Sequence, residues 1–150
     1  MRLKGRVALV TGMAMGIGQS IAELFAAEGA SIIGIDIQVK EGNAVAEGIL
    51  AKGVQCLFLG GDVSSESSVR DLVQTGTEKF GKIDVLVNVA GIASENPVDR
   101  LDLAEWERIL RINLTSVYLL SKYVLPSMLR HGSGSIVHIS SVQGLLGFPG

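Results

Sequence analysis

Eight residues near the N-terminus, Thr11-Gly12-Met13-Ala14-Met15-Gly16-Ile17-Gly18, suit one kind of chemistry: holding a diphosphate against main chain. Gly12 lets the chain turn sharply off the apolar run before it. Gly16 lets backbone approach a pyrophosphate with no Cβ in the way, and Gly18 lets a helix pack closely on the preceding strand. A helix beginning here presents free N–H groups and the positive end of its dipole to phosphate oxygens. The spacing departs from GxGxxG, so its weight comes from context, directly between a strand and a helix. Asp36 lies 18 residues after Gly18, at the end of the second apolar run. A carboxylate there accepts hydrogen bonds from an adenosine ribose diol and repels a 2′-phosphate. Met15 and Ile37 are apolar and Gln38 is neutral, so they offer such a phosphate no cation, although Lys40 is near enough to swing over. NAD is therefore the expected cofactor, with Met15, Ile17 and Ile37 grouped with the glycines and Asp36 in its site.

These residues need elements to position them, and the chain supplies an alternation of two periods. Val7–Val10, Ser31–Ile37, Gln55–Leu59, Ile83–Asn88 and Ser135–Ser140 are apolar runs of strand length. Between them, Ile17–Glu28, Lys40–Lys52, Glu66–Phe80 and Glu105 to about Arg130 carry helical periodicity, the first three stopped by Gly29, Gly53 and Gly81. Ser64 or Ser65 can cap the third helix. Strands that are apolar throughout and alternate with helices predict a parallel sheet covered on both faces. Right-handed crossovers then give an α/β, Rossmann-type doubly wound sheet, as one domain over 1–150. In such a sheet ligands bind outside the carboxyl ends of the strands.

Bulk properties remove other classes. A net charge of −2 with both signs interspersed offers no basic footprint for nucleic acid or anionic membrane. One cysteine, Cys56, cannot form an internal disulfide, and a buried, inert thiol is expected. The start of the chain does not read as a signal peptide, and no apolar stretch of about 20 residues predicts a membrane span. A cytoplasmic location is the default expectation. His131 and His138 lack carboxylate or cysteine neighbours and are expected as cap and core residues, with no metal site.

Taken together, the residues resemble the short-chain dehydrogenase/reductase family, over the whole chain. Five ordered motifs carry the resemblance: Thr11 to Gly18, Asp62-Val63, Asn88-Val89-Ala90-Gly91, Asn113 in Arg111-Ile112-Asn113-Leu114, and Ile139-Ser140-Ser141 followed by Gly144, Gly147, Pro149 and Gly150. The resemblance implies an NAD-dependent oxidoreductase moving a hydride between the cofactor and a small-molecule alcohol or ketone. It implies that Asp62 holds the adenine amino group and Val63 lines that pocket. Asn88, Ala90 and Gly91 would hold cofactor and brace the sheet; Val89 departs from the second asparagine of the family motif. Asn113 would position a water through its backbone carbonyl, and Ser141 would hydrogen-bond the substrate oxygen. Ser141 is preferred to Ser140 because adjacent strand residues point to opposite faces and because of the family spacing. The long helix is expected to pair with its copy in a homodimer or homotetramer.

The family's tyrosine and lysine would fall beyond Gly150, so the chain is expected to be the front part of such an enzyme and inactive by itself. Leu145, Leu146 and Phe148, and an uncovered fifth strand, read the same way. Tyr118 and Lys122 have the right spacing but the wrong place. At 100° per residue they lie about 140° and 180° around the helix from Asn113, so Lys122 should face away, with Tyr118 packing. Trp106 is expected to be structural, and Pro126 to kink the helix near its end. The rival reading is a dinucleotide-binding or interaction module without catalysis. Reading the gene past codon 150 would separate the two.

Overall fold

In the computed structural model, which describes residues 1–94 and 96–146, one five-stranded sheet carries the chain. Its strands are β1 (Val7–Thr11), β2 (Ser31–Asp36), β3 (Cys56–Gly60), β4 (Val85–Asn88) and β5 (Ser135–His138). The order is β3-β2-β1-β4-β5, every pair is parallel, and strand order reverses at β1. This is the expected Rossmann-type doubly wound sheet. Period-two alternation sorts the strand side chains. Leu9, Ile33, Ile35 and Leu86 join the core beneath α3 (Glu66–Phe80) and α5 (Ser116–Arg130). Ala8, Val10, Ile32 and Val87 join the core beneath α1 (Gly16–Ala27) and α2 (Val39–Leu50). All five residues of β1 are buried, as a central strand covered on both faces requires.

Boundaries moved by a residue or two where caps and pairing compete. Ile83 and Asp84 precede β4; the Ile83 N–H is taken by the Ser127 hydroxyl. Strand β5 ends at His138, so Ser140 lies beyond it. The predicted helix from Glu105 to Arg130 is the largest correction. It is α4 (Leu103–Leu110), a π-helical turn (Arg111–Thr115) and then α5. The helix starts earlier because Asp102 caps it, its carboxylate accepting the Glu105 N–H at 2.7 Å. The widened turn contains Asn113; single π turns inside helices are frequent at functional sites. Pro126 is accommodated within α5, which continues to Arg130.

Val137 of β5 and Ile139 just beyond it are exposed. Of the apolar loop expected after it, Leu145 and Leu146 are exposed, whereas Phe148, with Gly147, Pro149 and Gly150, lies outside the described residues. No helix among the described residues is long and apolar enough to cross a membrane.

Candidate functional site

The chain leaves β1 through Gly12, whose φ of +67° only glycine adopts readily, and whose Cβ position is 3.2 Å from the Ala90 backbone. Gly18 is compulsory for a different reason: a Cβ there would sit 2.0 Å from the Gly12 carbonyl oxygen. The first turn of α1 thus rests directly on the strand exit. Gly16 has a φ of +57°, and its Cβ position meets nothing within 4 Å. Its missing side chain therefore faces open space at the start of a helix. Between these glycines Met13 turns inward, its sulfur 2.3 Å from where a Cβ on Gly34 would lie, while Met15 turns outward. Met13 and Ala14 thus anchor the turn, while Met15 lies on its outer edge.

Asp36 is buried at the end of β2. One oxygen accepts the Ala14 N–H and the other the Gln38 N–H, each at 3.0 Å. The carboxylate ties the glycine loop to the following turn, and each oxygen retains a lone pair for a further donor. Gln38 also reaches the Met15 sulfur, Nε2 to Sδ at 3.1 Å. Asp62 is exposed beyond β3, one carboxylate oxygen accepting the Ser64 N–H at 2.8 Å. The Val63 side chain belongs to the core. Any lining of the expected adenine pocket by Val63 would therefore fall to its main chain.

The turn after β4 is braced by a residue that sequence reasoning passed over. The Thr11 hydroxyl oxygen accepts the Val89 and Ala90 N–H groups at 2.9 and 3.0 Å. Both bonds use main chain of the turn and do not depend on the side chain at position 89. Asn88 is 4% exposed, its Nδ2 lies 2.9 Å from His138 Nδ1, and its Oδ1 has no partner. His138 was expected in the core; it is exposed, and parallel register sets it beside Asn88. His131 does cap a helix, its Nδ1 2.8 Å from the Ser127 carbonyl oxygen. Among the described residues no group of carboxylates, cysteines and histidines could hold a metal ion.

Asn113 uses its whole side chain on one residue. Its Oδ1 accepts the Ile92 N–H at 2.9 Å and its Nδ2 donates to the Ile92 carbonyl at 2.7 Å. Both ends of the amide are thereby engaged by Ile92, with one Nδ2 hydrogen and one Oδ1 lone pair left over. Ser140 and Ser141 follow β5 at the same end of the sheet. The Ser141 Oγ accepts the Gln143 N–H at 3.2 Å, which leaves its hydroxyl proton to donate. The Ser140 Oγ lies 3.5 Å from the Cβ position of Gly144, turned into the short 3₁₀ turn at Val142–Gly144.

Tyr118 and Lys122 are outside this constellation. Tyr118 is exposed rather than packed, correcting the expectation. Lys122 donates to the Glu66 carboxylate at 2.8 Å, a hydrogen bond that holds its amine above the usual lysine range. Burial pushes the Cys56 thiol up to about 11, so it stays protonated and inert.

Comparisons with known proteins agree with this geometry. The family model described as short chain dehydrogenase matches residues 6–150. The chain is 39% identical to a 3-oxoacyl-[acyl-carrier-protein] reductase of Thermotoga maritima, over 100% of the chain and 61% of the relative. It is 41% identical to a trans-4-hydroxycyclohexanecarboxylate dehydrogenase of Sinomonas cyclohexanicum, over 98% and 59%. A crystal structure assigned to a short-chain alcohol dehydrogenase from Sinorhizobium meliloti superposes with a TM-score of 0.92 at 31% identity, covering 98% of this chain and 58% of that one. The chain thus spans about three fifths of the length of the curated relatives it matches.

Proposed function

Because the chain belongs to the short chain dehydrogenase family, a family of oxidoreductases, we propose that it is the NAD-binding part of an enzyme interconverting an alcohol and a ketone. The observation that carries this reading is the juxtaposition of Gly16 and Asp36. One leaves open space above a helix N-terminus, and the other holds a buried carboxylate beside it with lone pairs to spare. A dinucleotide fits this cradle: diphosphate oxygens against the N–H groups at the start of α1, ribose hydroxyls donating to Asp36. When bound, the nicotinamide supplies hydride chemistry at the carbinol carbon.

The chain's own residues do the rest. The Asp36 carboxylate accepts two ribose hydroxyls and, by its charge, disfavours a 2′-phosphate, which makes the protein selective for NAD over NADP. Met15, Ile17 and Ile37 surround the cradle with exposed apolar surface that a nucleotide would cover. Asp62 and the Val63 main chain serve the adenine end; Asn88, Ala90 and Gly91 serve the centre of the sheet. Ser141 donates its hydroxyl proton to the substrate oxygen, orienting it, and the Asn113 main chain holds a water for proton transfer. The tyrosine and lysine that complete the family's proton path would lie beyond Gly150, so the residues 1–150 by themselves turn over little substrate. Losing such general acid–base help costs roughly 10²–10⁴-fold in rate.

The same helix supports assembly. Leu103, Trp106, Leu110, Leu114, Tyr118, Leu125 and Leu129 recur at steps of three, four or seven residues and are all exposed, a stripe that a second copy of the chain would bury.

Calorimetric titration tests the cofactor reading. NADH should bind at least tenfold more tightly than NADPH, and Asp36→Ala should abolish the difference. Equal affinity for both in the unaltered protein overturns NAD selectivity, and no binding of either overturns the cofactor site. Reading the coding sequence past Gly150 tests the catalytic part: a tyrosine and a lysine four residues apart support the enzyme, and a stop codon there overturns it.

A further inference from the structure

The segment Asp102-Leu103-Ala104-Glu105 opens α4 with the spacing of a capping box. In such a box the fourth residue's side chain folds back onto the cap residue's N–H. Half of the arrangement is present, the Glu105 N–H donating to Asp102 at 2.7 Å. The Glu105 carboxylate goes elsewhere. Its Oε1 accepts the Ser94 hydroxyl at 2.7 Å and its Oε2 accepts the Asn96 side-chain amide at 3.0 Å. The Ser94 Oγ in turn accepts the Asn96 N–H at 2.9 Å. One half-buried carboxylate therefore organises two residues of the connection between β4 and α4, using both oxygens.

The place of this contact gives it meaning. The connection leaves the carboxyl end of β4, passes Ile92, which Asn113 grips at both its N–H and its carbonyl, and reaches Ser94 two residues later. Strand β5, ending towards Ser140 and Ser141, is the neighbour of β4 in the sheet. Ser94 and Asn96 thus follow β4, on the β5 side of β1, whereas Asp36 ends β2 on the other side. We propose that Glu105 is a positioning residue for the substrate: through Ser94 and Asn96 it fixes that connection relative to Ser141. This inference rests on the functional reading above. Hydrogen bonds to a charged acceptor are among the stronger ones, and two of them hold one short stretch.

A glutamine can keep most of this network. Its amide oxygen accepts from Asn96 and its amide nitrogen donates to the Ser94 oxygen, so Glu105→Gln is the rescuing variant and Glu105→Ala the disabling one. By hydrogen exchange, Glu105→Ala should speed the Asn96 amide by about tenfold, the effect of losing a charge-assisted pair, while Glu105→Gln stays near the unaltered protein. NADH affinity, which depends on the other end of the site, should change less than twofold in both. In the protein at the full length its gene specifies, trans-4-hydroxycyclohexanecarboxylate and acetoacetyl-CoA serve as probes, after the relatives' chemistries. Glu105→Ala should raise KM about tenfold with kcat within threefold, again with rescue by glutamine. An unchanged Asn96 exchange rate, a glutamine variant as impaired as the alanine one, or a fall in kcat at constant KM overturns the proposal. The exchange measurement decides the clamp by itself. An unaltered protein that binds no NADH and turns over neither probe sinks the functional reading instead.

Discussion

At the amino ends of the strands, Asp84 is 5% exposed and fully engaged. It accepts the Val7 N–H at 2.8 Å and the Arg6 guanidinium at 2.9 Å, with the Lys82 ammonium 3.0 Å away. Burial pushes its carboxyl up, but these donors outweigh burial and hold it below the usual aspartate range. At the carboxyl ends the pattern differs. Asp36 is tied down by two N–H groups with no cation on it, and Asn88 Oδ1 is buried without a partner. Met15, Ile17 and Ile37 are 57, 60 and 69% exposed. Buried polar groups are normally satisfied and apolar side chains normally covered. The buried carboxylate at the amino end is fully paired, whereas at the carboxyl end a buried amide oxygen lacks a partner and three exposed apolar side chains lie around the glycine loop. The contrast assigns stability to the amino end and fits the cofactor site proposed at the carboxyl end.

Four substitutions break or sharpen that contrast. Gly18→Ala should have the largest effect. Its Cβ lands on the Gly12 carbonyl, so both the fold and the nucleotide cradle suffer, by about 3 kcal/mol or more in a urea melt, with loss of NADH binding. Asp84→Asn should cost about 2–3 kcal/mol of stability, because Arg6 and Lys82 lose their shared partner, and leave NADH affinity unchanged. Since folding depresses the Asp84 pKa, its stabilisation is present above the unfolded value near 4 and fades as pH falls through the folded value. Urea melts of the unaltered protein should therefore weaken below about pH 4 more steeply than those of Asp84→Asn.

Gly16→Ala reverses the ratio of effects. The space around Gly16 is empty, so the stability cost is only the left-handed backbone, about 1–2 kcal/mol. The new methyl group occupies the diphosphate's place, so NADH affinity should fall at least tenfold. A Gly16→Ala protein that binds NADH normally would remove the distinction between the two ends. Lys122→Ala is the smallest change. Its pair with Glu66 is exposed, so stability should move by less than about 0.5 kcal/mol, and cofactor affinity should not move. A large loss of affinity there would return Tyr118 and Lys122 to the site.

Much of this was legible in the residues. Apolar runs of strand length and helical periods with glycine stops predicted all five strands and the first three helices, and read α4 and α5 as one helix, because neighbouring residues decide those periods. Gly12 and Gly18 were read correctly for the same reason: a sharp turn and a close helix start are local demands. The π turn was not legible, since Arg111 to Thr115 has the composition of an ordinary helix. Thr11, His138 and Glu105 were missed as site residues. Thr11 grips main chain 78 residues away, His138 meets Asn88 across 50, and Glu105 reaches Ser94 across 11. The cap spacing at Asp102 and Glu105 was a signal for the helix start, but gave no hint that the carboxylate would be diverted.

The sequence alone determined the doubly wound sheet, the places where a side chain could not be tolerated, and the family. Each follows from short-range sterics and from hydrophobic period, which a linear chain displays. The tertiary structure alone decided how lone pairs are spent: Asp36 braced by two N–H groups, Asn113 bound at both ends to Ile92, Asn88 half satisfied. Which donor meets which acceptor depends on the register between strands distant in the chain, and no local pattern carries that register.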